Sequence, residues 1–263
     1  MLEAVLACVG CALGDPSLPA GGPVAVDVEL VLAVDVSRSM DENELALQRA
    51  GYVAALTDPA FAQAVRSGAR GRIALAYFEW SDSIHEASRV GWRIVDGPES
   101  AAAFAAAIPT ADTGQTLGTS ISTAIAHAAT LFDGNGIDGD RLVVDVSGDG
   151  PNNKGAPVDL ARDAAVSRGI VVNGLPILVS PSRTFADLDR YYAECVTGGP
   201  GSFVLPVNGI AEFATAIRRK LILEVSGVTP SPTPVAGRPP VDCRKGERDD
   251  RFAPDPALGG SEG

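Results

Sequence analysis

The chain has little that would let it bind nucleic acid or an anionic membrane. Its 21 Lys and Arg residues are outnumbered by 33 Asp and Glu residues, so the formal net charge is −12 at pH 7. Both of those partners are bound through basic surfaces, and the charge therefore argues against them. An acidic protein can still hold a divalent cation, which remains compatible with this composition.

Long apolar runs are absent as well. No stretch reaches the roughly 20 continuous apolar residues of a membrane-spanning helix. The 263 residues, of which 46% are hydrophobic and 21% charged, are typical of a globular protein with one sizeable core.

Residues 1–25 resemble a secretory signal. The short apolar block 2–13 is followed by small, Pro- and Gly-rich residues, although no positive residue precedes it and Glu3 lies at its start. We expect export, to the periplasm or out of the cell, with a packed N-terminal segment as the alternative. The "VLAC" that ends at Cys8 also resembles a lipoprotein cleavage site, which would give a lipid-anchored form.

Cysteine and histidine are scarce, with four and two residues. Metal binding through Cys and His ligands is therefore not expected. Cys8 and Cys11 would leave with a cleaved signal. Cys195 and Cys243 would remain as an even pair in an oxidising compartment, and we predict that they form a disulfide. The alternative is one buried thiol and one thiol in the tail.

Short apolar runs alternate with helical patterns between residues 26 and 227. The runs that predict strands are 26–36, 72–80, 141–147, 170–178 and 202–207, with the more polar 83–95 as an edge strand. The helical patterns run from Asp41 or Glu42 to the "TDP" at 57–59, and then over 98–107, 119–132, 156–168, 184–195 and 209–221. This order predicts a doubly wound α/β fold, in which helices cover both faces of a mostly parallel sheet with one antiparallel edge strand.

Residues 228–263 differ in composition from the rest of the chain. They are rich in proline and lack apolar periodicity. We predict a mostly disordered tail, attached at one point if Cys243 pairs with Cys195.

Oxygen-bearing side chains follow two of the predicted strands and open one predicted helix. They are, in chain order, Asp35, Ser37, Ser39, Thr116, Thr119 and Asp149. Open α/β sheets bind ligands at the carboxyl ends of their strands, so these groups are expected to lie at one edge. Carboxylates and hydroxyls are hard ligands that suit Mg²⁺, with Mn²⁺ or Ca²⁺ as alternatives. The simpler alternative is that Ser39 or Asp41 caps a helix and Asp149 shapes a turn.

Three motifs resemble the metal-ion-dependent adhesion site of von Willebrand factor A domains. They are "DVSRS" after the first strand, "GTSIST" in the middle and "SGDG" after the central strand. Longer stretches, among them "LVLAVDVSRSMDENE", "DVSGDGPNN" and "YYAECVTGGPGSFV", resemble DUF1194, a bacterial family of exported A-domain-like proteins, over about residues 26–226.

The resemblance implies a ligand set and a function. Ser37, Ser39 and Thr119 would be metal ligands, and Asp35 and Asp149 would hold the metal directly or through water. In A domains the open metal position accepts a Glu or Asp carboxylate from a partner protein. The resemblance therefore implies metal-dependent binding of a protein or peptide, without catalysis.

Two residues of these motifs need comment. Thr119 is preferred to Thr116 because its "GT" leads directly into the helix, as the loop of the family does. Arg38, between the two serines, departs from the smaller residues common in the family. It would lean over the metal or point to solvent.

Other functions have weaker support. "GDGPNN" resembles the acidic element of haloacid-dehalogenase-type phosphatases, but Ser37 replaces their second carboxylate and Asn153 their last acidic residue. The motifs G-x-S-x-G, G-x-G-x-x-G and the P-loop are absent. We expect His85 to be a surface residue and His127 to lie on a helix face. A third interpretation is that the metal is structural and that binding occurs elsewhere on the acidic surface.

Overall fold

A five-stranded sheet forms the centre of the molecule. The computed structural model describes residues 22–40, 42–110, 116–179, 187–228 and 239–248. The strands are β1 (Val24–Val26), β2 (Glu29–Asp35), β3 (Ile73–Trp80), β4 (Ile84–Val95), β5 (Ile137–Gly139), β6 (Leu142–Gly148) and β7 (Ile170–Pro176). The central sheet has the order β4-β3-β2-β6-β7, while β1 and β5 form a separate parallel pair.

Helices cover both faces of this sheet. They are α1 (Glu42–Leu56), α2 (Pro59–Arg66), α3 (Pro98–Ala105), α4 (Ile121–Leu131), α5 (Val158–Ser167), α6 (Leu188–Tyr191), α7 (Phe213–Ser226) and α8 (Lys245–Arg248). Buried apolar side chains of α1, α2, α3 and α7 form one core. Those of α4, α5 and α6 form a second core on the opposite face. Every residue of β2 and β3 is buried, as expected for strands between two helical layers.

The sheet confirms the predicted fold class. Strands β3, β2, β6 and β7 run parallel to one another. Strand β4 pairs antiparallel with β3 at the edge. The carboxyl ends of β2, β3 and β6 consequently lie side by side, which is the edge where the sequence predicts a site.

The structure differs from the predicted elements most clearly at 57–59 and at 202–207. The "TDP" at 57–59 ends α1, but it also begins α2, because the Asp58 side chain accepts a hydrogen bond from the Ala60 N–H (2.8 Å) and Pro59 opens the helix. The predicted strand 202–207 forms only isolated parallel bridges, from Val204 to Gly174 of β7 and from Val207 to Ile177 just after β7. Pro176 has no N–H to donate at the rung between them.

The predicted segments at the two ends of the chain are described only in part. Residues 1–21 lie outside the described residues, and β1 begins at Val24. Of the predicted tail, 229–238 and 249–263 also lie outside them, so its disorder stays a prediction. Residues 239–248 pack on the domain, and Cys195 and Cys243 form the predicted disulfide. Within the described ranges, none of the helices has the length and apolarity needed to cross a membrane.

Candidate metal centre

The end of β2 is held by its neighbours on both sides. The Val36 N–H donates to Trp80 O of β3 (2.8 Å). The Gln48 amide of α1 donates to Asp35 O (2.9 Å). The chain then turns sharply, so that the Ser37 N–H donates to Asp35 Oδ1 (2.7 Å). Asp35 and Ser37 are buried as a result.

The side chains predicted as metal ligands meet at this turn. Ser37 Oγ lies 3.0 Å from Ser39 Oγ. Ser39 Oγ donates to Asp149 Oδ1 (2.6 Å), which follows β6. Thr119 Oγ1, before α4, donates to Ser37 Oγ over 3.5 Å. Together with Asp35, these side chains form one cluster of two carboxyl and three hydroxyl groups at the predicted edge of the sheet.

Thr116 belongs to a different group of side chains. Its Oγ1 lies 2.5 Å from Ser81 Oγ and donates to Asp82 Oδ1 (2.6 Å). Ser81 Oγ also lies 2.7 Å from His85 Nε2. The geometry therefore favours Thr119 over Thr116 as the threonine of the cluster.

The expected surface position of His85 is wrong, because the residue is buried against Ser81. Ser81 is only 1% exposed, so this Ser–His pair is not open to a substrate. His127 is half-buried on α4, where its ring packs edge-on against Phe78 with 4.9 Å between centroids. Arg38 is exposed, as one of its two expected positions requires.

Asn153 is a residue of the site that sequence reasoning missed. Its side-chain oxygen accepts from the Thr119 N–H (2.8 Å), and its own N–H donates to Thr119 O (2.9 Å). These two bonds tie the loop after β6 to the loop before α4. The signal in the sequence was its place in "GDGPNN". There we noted only that Asn153 stands where the phosphatases have an acidic residue.

The electrostatics of the cluster favour a cation. Burial, together with the nearby negative charge of Asp149, raises the pKa of Asp35 to about 8, and hydrogen bonds from Ser37 offset only part of the rise. Asp35 Oδ2 is buried without a hydrogen-bond partner among the described residues. A buried, unpartnered carboxylate is costly unless a proton or a cation neutralises it.

Tyr192 and Gly148 lie behind Asp35. The Tyr192 hydroxyl is also buried without a partner in the described part of the chain. Its pKa is raised by burial and by the charges of Asp35 and Asp149. A Cβ on Gly148 would lie 2.7 Å from both Asp35 Oδ2 and the Tyr192 hydroxyl, so only glycine fits here. Sequence reasoning missed both residues.

The donor set fits a hard divalent cation. Two carboxylates and three hydroxyls offer oxygen ligands, and the unpartnered Asp35 Oδ2 lacks the positive charge that a cation would bring. The described residues contain no group of three or more His, Cys, Asp and Glu side chains able to hold a metal. A centre here would therefore depend on its hydroxyls as well as its carboxylates.

The comparisons with solved structures define the class of fold. A von Willebrand factor type A protein from Catenulispora acidiphila matches with a TM-score of 0.53 and 18% identity, covering 77% of this chain and 43% of that one. The pilus adhesin SpaC from Lactobacillus rhamnosus GG matches with a TM-score of 0.54 and 12% identity, covering 80% of this chain and 31% of that one. Proximal thread matrix protein 1 from the mussel byssus, with a zinc-occupied MIDAS (metal-ion-dependent adhesion site) motif, matches with a TM-score of 0.50 and 18% identity. The match covers 78% of this chain and 49% of that one.

The fold is thus that of a von Willebrand factor A domain, and the chain spans half or less of the length of these solved proteins. Residues 25–229 match the model of a family described as a protein of unknown function, DUF1194. The chain belongs to that family, as the resemblance of its motifs implied. No curated protein matches its sequence.

Proposed function

We propose that the protein is an exported binding module whose A domain holds a divalent cation and uses it to bind a protein or peptide partner. Mg²⁺ is the ion we propose first, with Mn²⁺ and Ca²⁺ as alternatives. The proposed ligand set is Asp35, Ser37, Ser39, Thr119 and Asp149. The observation that carries the proposal is the convergence of these side chains from three separate loops, with Asp35 Oδ2 left without a hydrogen-bond partner among the described residues.

Each group of the set has a task in this proposal. With a cation bound in place of the Asp35 proton, Asp35 and Asp149 supply two negative charges, and the three hydroxyls add oxygen donors without further charge. A bound cation would supply an electrophilic position for one more oxygen ligand. A Glu or Asp carboxylate of the partner can complete such a set, because the proposed set offers five side chains and Mg²⁺ takes six oxygen ligands.

The similar proteins support this reading by analogy only. SpaC is a pilus adhesin. The mussel protein is a thread matrix protein whose MIDAS motif held zinc. Because that motif held zinc and not Mg²⁺, the ion that this chain binds has to be determined by experiment. Adhesins and matrix proteins act outside the cell, in agreement with the proposed export.

Catalysis is not part of the proposal. Phosphatases of the haloacid-dehalogenase type need a second carboxylic acid beside the nucleophilic Asp to donate to the leaving group. At that position the cluster has Ser37, whose hydroxyl lies between those of Ser39 and Thr119. A hydroxyl of ordinary acidity does not replace that acid.

The first test is isothermal titration of metal-stripped protein with Mg²⁺ and with Mn²⁺. We expect one-site binding by the wild type and none by Asp149→Ala, while Asp163→Ala, which alters an exposed carboxylate on α5, should bind like the wild type. Absence of binding by the wild type, or equal binding by Asp149→Ala, would refute the proposed centre.

A second pair of substitutions separates an adhesion site from a structural ion. The double variant Ser37→Ala/Ser39→Ala keeps both carboxylates. If the metal serves binding, this variant should lose the carboxylate-bearing partner and keep its melting temperature. If the metal is structural, the melting temperature should fall with the loss of metal.

A further inference from the structure

Residues 239–248, which we call the C-terminal strap, are fastened to the helix that follows β7. Cys243 is bonded to Cys195 in the π-helical turn that continues α6. The Val241 N–H donates to Glu194 Oε2 (2.6 Å), and Arg190 donates to Pro239 O (2.9 Å). The strap is therefore held by one covalent bond and by polar contacts to α6 and to the turn that continues it.

The far end of the strap lies against the loop 149–153 of the candidate metal centre. Glu247 Oε1 accepts a hydrogen bond from the Asn152 side-chain amide (2.9 Å). Gly246 packs so closely that a Cβ would lie 2.4 Å from Asn152 O and 2.9 Å from Pro151. The Tyr191 hydroxyl joins the two segments, since it accepts from the Asn152 N–H (3.1 Å) and donates to Cys243 O (3.3 Å).

Asn152 passes this contact on to the rest of the centre. It is fully buried, and its side-chain oxygen accepts from the Ser122 N–H in the first turn of α4 (3.0 Å). Its neighbour Asn153 holds Thr119 by two hydrogen bonds. Asp149 begins the same loop. One short loop thus carries a carboxylate of the cluster, positions its threonine, and rests on the strap.

We propose that the strap is a positioning element of the metal centre. The Cys195–Cys243 disulfide holds Glu247 against Asn152, and this contact keeps the loop 149–153 in the conformation that brings Asp149 and Thr119 to Ser37 and Ser39. Glu247 itself makes no contact with the cluster and acts through Asn152. The inference rests on the proposed function, because it concerns the same cation site.

The test uses the full chain with three changes to the strap. Glu247→Ala removes the acceptor, Glu247→Gln restores a side-chain oxygen, and Cys195→Ser/Cys243→Ser removes the covalent tether. Arg244→Ala, an exposed residue of the strap, is the matched control. Two readouts are taken: Mg²⁺ affinity by titration, and hydrogen exchange of the Asn152 and Thr119 amides in metal-free protein.

We expect Glu247→Ala and the double cysteine variant to bind Mg²⁺ about tenfold more weakly, the scale of losing a supporting contact behind a metal ligand. Exchange of the two amides should quicken while that of the β2 amides stays unchanged. Glu247→Gln and Arg244→Ala should behave like the wild type.

Unchanged affinity and unchanged exchange in Glu247→Ala would overturn the inference, even if the double cysteine variant fails to fold. If the wild type binds no Mg²⁺, the proposed function fails, and the exchange data still decide whether the strap holds the loop. A loss of affinity in Glu247→Gln equal to that in Glu247→Ala would also contradict the proposed hydrogen bond.

Discussion

Two threonines three residues apart have different surroundings. Thr119 Oγ1 faces Ser37, whereas Thr116 Oγ1 is engaged by Ser81 and Asp82. Hydroxyl groups of one type can therefore serve a metal centre or a packing network, depending on the loop that carries them.

This difference predicts unequal effects of two matched substitutions. Thr119→Ala removes an oxygen of the cluster and should weaken Mg²⁺ binding by more than about tenfold. Thr116→Ala should leave the affinity within about twofold and lower only the stability, by about 1 kcal/mol for lost hydrogen bonds. Titration and urea unfolding of both variants test this, and equal losses of affinity would contradict the choice of Thr119.

Residues of the candidate site differed in how far sequence could predict them. The five cluster residues could be named because each stands in a short motif at a strand or helix end. Asn152, Asn153 and Tyr192 could not, because their contacts join loops 30 or more residues apart. Only the fold brings those loops together, and an asparagine in a turn carries no local sign of such a partner.

At the scale of elements, a buried ion pair joins α1 to β3. Arg49 donates two hydrogen bonds to Glu79, at 2.7 and 2.8 Å, and the Tyr77 hydroxyl donates to the same carboxylate at 2.9 Å. Both charged residues are buried. Helix α1 follows the loop that carries Ser37 and Ser39. The ion pair therefore fixes a helix next to the candidate centre.

Breaking this pair should be costly. Glu79→Ala leaves the Arg49 guanidinium buried without its carboxylate and should lower the free energy of unfolding by about 3–5 kcal/mol. Glu86→Ala is the control, because its pair with Arg89 is exposed and should contribute less than about 1 kcal/mol. Similar losses in the two variants, measured by urea unfolding, would show that burial does not govern these pairs.

A second buried group joins α7 to β6. The Lys220 ammonium lies 2.6 Å from Asp145 and 2.5 Å from Glu224. Burial and the charge of Asp145 raise the pKa of Glu224 from 4.5 to about 7, despite Lys220. Glu224 therefore binds its proton more tightly in the folded protein than in the unfolded chain.

The sign of the resulting pH dependence follows from linkage. Between pH 4.5 and 7 the folded protein binds more protons at Glu224 than the unfolded chain does, so the free energy of unfolding falls as the pH rises. Glu224→Gln should flatten this slope, although Asp35 and Asp145, whose pKa values are also raised by burial, keep part of it. Unfolding at pH 5, 6 and 7 tests this, with the exposed Glu99→Gln as control. A slope equal to that of the wild type would refute the assignment to Glu224.

Elements with strong periodicity or full burial were predicted well, and short ones were not. The strands of the central sheet and the longer helices follow from apolar runs and helical spacing. Helix α2 was missed because "TDP" signals an end and a start equally well. Strands β1 and β5 have three residues each, too few for a pattern to stand out.

For the whole molecule, the Cys195–Cys243 disulfide closes a loop of 48 residues. Its loss gives the unfolded chain more freedom, so Cys195→Ser/Cys243→Ser should lower the free energy of unfolding by about 4 kcal/mol. Urea unfolding without metal measures this apart from any cation. An unchanged midpoint would mean that the strap contributes nothing to global stability.

The disulfide could be predicted from the sequence, but the contact that it brings about could not. An even number of cysteines remaining after a signal predicts a pair. That the pair carries Glu247 to Asn152 depends on where α6 ends and on the path of the strap, which no local pattern encodes.

The two edges of the central sheet bear on how the protein behaves when crowded. Along β4 the pairing with β3 has two register shifts, and Glu86 and Arg89 project into solvent. On the other side, the segment 203–207 bonds to β7 without forming a full ladder. An irregular, charged edge and a covered edge both make poor templates for another chain. Concentrated protein should therefore resist the strand-to-strand association that leads to fibrils.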